Sequence, residues 1–392
     1  MASRDGASAL SGGGAVLMVA ERYLPDVGGT ELQLARLAEQ LTARGVRVEI
    51  VTPRFHRHLP RVETSGAVVH RLWVPPVRYV SALTVPLALA WFLLRHVRRF
   101  ETVHVHTVGL FAILATAIGR AFGRRVVLKA VGWWELERGV LDPARRDRAW
   151  VRLALGVLRR ASVWIAVSGA LARAIAAAGI EPARIRHVPN GVDTRRFAPG
   201  DRRAARAALG LDAAAPRAVF AGRLEPVKAL PTLLRAWRAV VDEVPDATLD
   251  LVGAGTLEAE LRAERSRLGL DDRVVFHGRQ PDVVPYLRAA DVFVLPSSVE
   301  GLSNTLLEAM AVGRPVVATR VSGTEDMVDD GVNGLLVPPG DAAALAGGLL
   351  KVLTDPEGAA LLGWRARADV TRRCSLDAVA ETYRALYAEA MP

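Results

Sequence analysis

The chain has 392 residues, too many for one ordinary domain and suited to two or three of roughly 100–200 residues each. With 51% hydrophobic and 23% charged residues it can bury large cores, which excludes a disordered protein or a fibre. The one cysteine, Cys374, excludes an intramolecular disulfide and any multi-thiolate zinc site, and it reads as a small buried hydrophobe compatible with a reducing cytoplasm. The net charge of +10 is uneven: residues 1–199 carry 29 Lys+Arg against 14 Asp+Glu, and residues 200–392 carry 22 against 27. The basic half is expected to face anions, whether phosphates, acidic lipid headgroups or nucleic acid.

Met1 to Gly14 is small, polar and glycine-rich, without the charged and apolar regions of a signal peptide, and is expected to be a disordered lead-in. Val16–Ala20 then reads as a strand, and after a glycine turn a helix runs from about Thr30 to Arg44, stopped by Gly45. Further strands are expected at Arg47–Thr52, Ala67–Leu72, Val103–His106, Val126–Lys129 and Val163–Val167. Between them lie two segments free of formal charge, Tyr79–Leu94 and Thr102–Gly119. The first has 16 residues with Pro86 inside, short of the roughly 20 that span a bilayer, and both are expected to be buried core. A membrane-touching alternative stays open for the first, because Arg95, Arg98 and Arg99 follow it.

Turn signals at Pro189-Asn190-Gly191 and Pro199-Gly200 interrupt the alternation, which then restarts. Strands are expected at Ala218–Gly222, Thr248–Val252, Val274–His277, Val292–Leu295, Val316–Ala318 and Leu335–Val337. Helices are expected at Pro231–Val244, Leu257–Leu268 and Thr305–Val312, with a last one over Asp377–Ala390. Alternation of this kind means parallel sheets covered on both faces, so the fold class is α/β with two doubly wound, Rossmann-like domains. The domains read as 15–199 and 200–375, followed by a C-terminal helix over 376–392.

Three stretches carry chemistry. Gly28-Gly29-Thr30-Glu31 follows the first strand, where two glycines let a ligand approach the backbone and a helix start attracts an anion. It is not a dinucleotide-binding Gly-x-Gly-x-x-Gly, and a plain turn would look the same. Gly222-Arg223-Leu224-Glu225-Pro226-Val227-Lys228 leaves the first strand of the second half, and Arg223 with Lys228 suits two phosphates. Lysine occurs only at Lys129, Lys228 and Lys351, which sets a lysine inside a motif apart from the many arginines. In Pro296-Ser297-Ser298-Val299-Glu300-Gly301-Leu302-Ser303-Asn304-Thr305-Leu306-Leu307-Glu308, two carboxylates flank a loop and a helix start whose N–H groups can hold an anion.

In this order, with Pro189-Asn190-Gly191-Val192-Asp193 between them, these elements resemble the GT-B glycosyltransferases of family 4, from about Val16 to the final helix. The resemblance implies two Rossmann-like domains facing across a cleft, a nucleotide diphosphate sugar (UDP- or GDP-linked) as donor, transfer of a hexose-type sugar with retention to an acceptor hydroxyl, and no cofactor or required metal. Carried over by position, Arg223 and Lys228 would bind the diphosphate and stabilise the leaving nucleotide, and Glu300 would contact sugar hydroxyls near the reacting centre. Glu308 would hold the ribose. The backbone of Gly301, Leu302, Ser303, Asn304, Thr305 and Leu306 would cradle phosphates and sugar, with Gly222 at the strand exit and Gly29 approaching from the opposite domain. Gly278 and Arg279, within His277-Gly278-Arg279-Gln280, would lie beside the base, and the final helix would cross back to the N-terminal domain.

The chemistry agrees from below: breaking a glycosyl–phosphate bond leaves an anion that fixed cations and N–H dipoles stabilise. No Asp-x-Asp pair for holding a metal occurs in the sequence. The chain departs from the family where a histidine often follows the fifth strand; here the stretch is Lys129-Ala130-Val131-Gly132-Trp133-Trp134-Glu135. His106, Trp133 and Trp134 are the acceptor-side candidates, each with core packing as the plain alternative. Ala229 replaces the usual glycine after the motif lysine, and Asp326 a common glutamate. A sugar-nucleotide epimerase and a basic membrane-binding scaffold are the competing readings; no recognised motif supports nucleic-acid binding. The expected location is cytoplasmic, with contact between the N-terminal domain and an anionic membrane at its inner face.

Overall fold

The computed structural model describes residues 14–25, 28–56, 58–60, 62–75, 78–132, 134–137 and 139–389. Apart from Gly14, the expected lead-in lies outside them, as does Trp133; of Trp134 only the backbone is described. Contacts divide the chain into two compact units. The first holds the described residues up to Val167, Leu171–Val188 and the chain from Val379; the second holds Ser168–Ala170 and Pro189–Ala378. The division thus falls at Val188/Pro189 rather than at the 199/200 boundary read from the turn signals.

The first unit is built on β1 (Val16–Val19), β2 (Val48–Pro53), β3 (Val62–Ser65), β4 (Ala67–Leu72), β5 (Thr102–Val105), β6 (Arg125–Ala130), β7 (Val163–Ala166) and β8 (Ile185–His187). Their order is β3-β4-β2-β1-β5-β6-β7-β8, and every pair is parallel except the β3–β4 hairpin. β1, β5, β6 and β7 are buried along their whole length; β1 and β7 are apolar throughout, whereas β5 buries His104 and β6 buries Arg125 and Lys129 among their apolar residues. β3 and β8 were not expected: β3 is a polar edge closed by a turn at Gly66, and β8 is a short, partly exposed edge. Val16, Met18, Leu34, Leu41, Ile50, Val379, Tyr383 and Leu386 share one core, so the helices Gly29–Ala43 and Leu376–Ala388 cover the same face of the sheet.

The opposite face carries helices Arg78–His96, Leu110–Ala121 and Ala149–Leu158, packed side by side, as right-handed crossovers from β4 to β5, β6 and β7 require. The first of these corrects the expectation of a buried core segment. It is 19 residues long, runs through Pro86 and continues as a single tight turn, Val97–Arg99. Val85, Leu89, Leu93 and Val97 are buried against the unit, while Val80, Leu83, Leu87, Trp91 and Leu94 are exposed. A helix in an outer layer can turn only one face to the sheet, and this one is apolar on both.

The second unit has six parallel strands, β9 (Arg217–Ala221), β10 (Thr248–Val252), β11 (Val274–Gly278), β12 (Val292–Leu295), β13 (Val316–Thr319) and β14 (Leu335–Val337), in the order β11-β10-β9-β12-β13-β14. The order reverses between β9 and β12, the point where open α/β sheets bind ligands. Helix Leu230–Glu243 shows how the pattern builds the layer: Leu230, Leu233, Leu234, Trp237, Val240 and Val241 recur at helical spacing and are all buried. Cys374 is fully buried beside Met327, Sγ to Sδ 3.7 Å, and its thiol is pushed up to about 12 by burial.

Candidate active site

The loops leaving β9 and β12 meet at the reversal of the second sheet. The first runs from Gly222 to Lys228; the second runs from Pro296 to Ser303 and opens helix Asn304–Val312. They are tied together where the Ser298 N–H donates to the Val227 carbonyl at 2.9 Å. Close backbone approach fixes both. A Cβ on Gly253 would lie 1.8 Å from the Gly222 oxygen, and one on Gly323, at φ 78°, 1.9 Å from the Gly301 oxygen. Only glycine fits at either place.

This geometry joins two residues that the sequence placed 72 positions apart: the Lys228 ammonium is ion-paired with Glu300 Oε1. The Ser297 hydroxyl donates to the same oxygen at 2.7 Å, and Ser322 donates to the Glu300 carbonyl at 2.7 Å. The pair is largely withdrawn from water, with side chains 14% and 11% exposed. An ammonium has three donors, so a lysine held by one carboxylate oxygen still has two for a phosphate. Arg223, by contrast, is exposed and has no hydrogen-bond or ion-pair partner among the described residues, which leaves its planar fork unspent. Sequence reasoning assigned Lys228 and Glu300 to different parts of a donor and missed their direct pairing. Ser297, three residues before Glu300, was the available signal.

Ser303 caps the helix start, accepting from the Leu306 N–H at 3.4 Å, and its hydroxyl lies 3.1 Å from that of Thr305. Asn190 braces the loop from outside, donating to Asn304 Oδ1 at 3.0 Å and to the Leu302 carbonyl at 3.4 Å, so the Pro-Asn-Gly break is also part of the site. The side chains of Leu302 and Leu306 are core, which leaves their backbone as the part available to a ligand. Glu308, on the helix's second turn, is buried. Ala229 adopts left-handed geometry, φ 48° and ψ 37°, which explains why glycine is usual after the lysine.

Gly278 has φ 65° at the end of β11 and Arg279 beyond it is exposed, but His277 points elsewhere. Its Nε2 lies 2.7 Å from Asp250 Oδ1, and Asp250 also accepts two bonds from Arg217 at 2.7 and 2.9 Å, a buried structural cluster. Asp326 is structural as well, accepting from the Gly169 N–H at 2.8 Å in a run of turns rather than before a helix.

In the first unit Gly29 opens helix Gly29–Ala43, with Gly28 in extended geometry as its uncapped N-cap; neither glycine needs positive φ. His106 is 2% exposed and so lines no open surface. It sits in a buried group with His104, Lys129 and Tyr383, edged by the partly buried Tyr387, where the His104 and His106 rings are 4.0 Å apart and His104 Nδ1 is 2.7 Å from the Tyr387 hydroxyl. Burial, with Lys129 nearby, holds both histidines well below the usual range, and burial lowers Lys129 itself to about 8. Trp134 opens the short helix Trp134–Glu137. Sequence reasoning missed Glu135. This fully buried carboxylate accepts from Val108 at 2.9 Å, Val131 at 2.6 Å and Gly132 at 3.0 Å, gathering the loops after β5 and β6. Burial pushes it up to about 7 against those bonds.

Known proteins share this pattern. The profile described as Glycosyltransferase Family 4 matches residues 27–196, and that described as Glycosyl transferases group 1 matches 215–355. A D-inositol 3-phosphate glycosyltransferase of Acidothermus cellulolyticus is 32% identical over 358 residues, 84% of this chain and 79% of that one. The chain belongs to glycosyltransferase family 4. A D-inositol 3-phosphate glycosyltransferase of Saccharomonospora viridis is 43% identical over 217 residues, about half of each chain. Structures of Anabaena Alr3699/HepE, solved with UDP and with UDP-glucose, superpose with TM-scores of 0.78 and 0.75 at 23% identity, over 95% of this chain and 99% of theirs. The fold is that of the GT-B glycosyltransferases, and the protein is a glycosyltransferase; the epimerase and scaffold readings fall.

Proposed function

We propose that this glycosyltransferase moves a hexose from a UDP-linked donor to an acceptor hydroxyl, with retention of anomeric configuration and without a metal. The observation that carries the reading is the Lys228–Glu300 pair beside the unspent Arg223 at the reversal of the second sheet. As the bond from the sugar to the diphosphate breaks, negative charge grows on the departing nucleotide. Lys228 and Arg223 are fixed cations for that charge, and the N–H groups opening helix Asn304–Val312 add their dipoles. Glu300, held by Lys228 and Ser297, then presents its second carboxylate oxygen to sugar hydroxyls, and Glu308 is the candidate for the ribose. Two cations in place supply what a metal supplies in Asp-x-Asp enzymes, so chelation by EDTA is expected to leave the rate unchanged.

UDP is chosen over GDP because the Anabaena structures with the same fold hold UDP and UDP-glucose. The first acceptor to assay is D-inositol 3-phosphate, named in the relatives from Acidothermus and Saccharomonospora. A calorimetric titration with UDP and GDP tests the donor site: UDP binds in the micromolar range and Lys228→Met loses it, while Lys351→Met, on helix Ala342–Thr354, keeps it. Equal UDP affinity in Lys228→Met refutes the assignment. Proton NMR of the product, read against the anomeric configuration of the donor, decides retention.

A further inference from the structure

The helix layer on the first unit has an outer surface that the donor chemistry does not use. Along helix Arg78–His96, Leu83, Leu87 and Trp91 are 72%, 68% and 66% exposed and follow one another at four-residue spacing, with Val80 and Leu94 extending the stripe. From Val80 to Leu94 there is no charged residue at all. Exposed apolar surface of this length on one helix marks an interaction site. The same layer adds Leu153, 74% exposed, and Trp150 on helix Ala149–Leu158.

The charge carried by the three helices of this layer is of one sign, with Arg99 also 3.6 Å from the buried Glu49 carboxylate and Glu101 beyond the layer's end. Residues 78–99, 110–124 and 149–160 contain no Asp or Glu, and Arg95, Arg98 and Arg99 stand exposed where the stripe ends, with Arg152 and Arg160 on the neighbouring helix. An apolar face with tryptophans and a basic border is what an amphipathic element resting in the headgroup region of an anionic bilayer presents. A second copy of this chain fits less well, since an isologous contact would bring these arginines against one another. The opposite side of the helix, Val85, Leu89 and Leu93, is committed to the unit's interior, which suits a helix resting on a surface and not one crossing a bilayer.

We propose that the outer face of helix Arg78–His96 docks this protein onto anionic phospholipid membranes, with Leu83, Leu87, Trp91 and Leu94 entering the interface and Arg95, Arg98 and Arg99 contacting headgroups. This surface stands whichever sugar or acceptor the enzyme uses.

The test is co-sedimentation of the full chain with vesicles of phosphatidylcholine alone and of phosphatidylcholine mixed with phosphatidylglycerol. Binding is expected only with phosphatidylglycerol, and it weakens as salt screens the arginines. Leu87→Glu/Trp91→Glu is expected to lower the partition coefficient at least about tenfold. Arg95→Glu/Arg98→Glu lowers it comparably, and Trp364→Glu, an equally exposed tryptophan on the other unit, leaves it unchanged. If the double glutamate variant has a lowered melting temperature, Leu83→Ser takes its place. The proposal is overturned by wild-type protein that stays in the supernatant, by binding that ignores the Leu87 and Trp91 substitutions, or by light scattering that shows a dimer which those substitutions dissolve.

Discussion

Lys228→Met removes the cation bonded to Glu300 Oε1 and leaves that carboxylate, 11% exposed, with the Ser297 hydroxyl. Breaking a fully buried ion pair by deleting one partner costs about 3–5 kcal/mol. Residual exposure and the surviving serine bond reduce this to about 2 kcal/mol, or a fall in melting temperature of roughly 4–8 °C for a unit of this size. Glu300→Gln keeps a polar group for Ser297 but strands the ammonium, at a cost of about 1–2 kcal/mol. The two losses are not independent, because each single variant strands the group that the other removes. Lys228→Met/Glu300→Gln is therefore expected to be at least about 1 kcal/mol more stable than the sum of the single variants. Urea denaturation of the four proteins measures this coupling, and sugar transfer by the same samples separates stability from chemistry. The double variant regains stability and stays inactive. A coupling below about 0.5 kcal/mol would refute the ion pair as a structural unit. Activity in the stable double variant would refute its role in transfer.

Three further outcomes follow from the same structure. Ala229→Gly relieves a left-handed residue costing about 1–2 kcal/mol, offset by glycine's larger unfolded-state entropy, so chemical denaturation should show a net gain of about 0.5 kcal/mol; a loss would contradict the φ of 48°. Gly323→Ala puts a methyl 1.9 Å from the Gly301 oxygen at a positive φ and is expected to cost more than about 2 kcal/mol and to weaken UDP binding as the Glu300 loop shifts; wild-type stability and affinity would speak against that close contact. Lys129→Met concerns the buried group beside His104, His106 and Tyr383. The folded chain prefers the neutral amine, moving it from the ordinary 10.5 to about 8, so its contribution is present above 10.5 and is lost as pH falls through 8. Lys129→Met should thus be more stable than wild type by up to about 3 kcal/mol at pH 7, with the gap closing as pH rises towards 10.5; a gap that does not change with pH would exclude titration of Lys129 as its source.

Much of this was legible in the chain. The buried strands β1, β7 and β12 announce themselves as continuous apolar runs between turn signals, and β5, β6, β9 and β13 as short runs rich in β-branched and apolar residues, because a strand covered on both faces is mostly apolar. The Gly222–Lys228 and Pro296–Glu308 stretches could be placed at strand exits for the same reason: once the period is read, the loop positions follow. Edges were harder. β3 and β8 carry no apolar run, since an edge strand needs no second apolar face, and only the ladder they join defines them.

What local pattern alone determined was the two-domain α/β fold and the residue types available for an anionic sugar donor. Periodicity and turn chemistry act over a few residues, and they are written in the order of the chain. The tertiary structure decided the rest. It paired Lys228 with Glu300 across 72 residues, put His277 on Asp250 instead of on an open surface, buried His106 beside His104 and used Glu135 to gather two loops. It also turned one of the two apolar faces of Arg78–His96 outward. Each of these depends on which strands lie side by side and on which face of a sheet a crossover falls. Strand order and crossover hand are set by the packing of the whole unit, and a stretch of sequence carries the side chains for such contacts without saying which of them will meet.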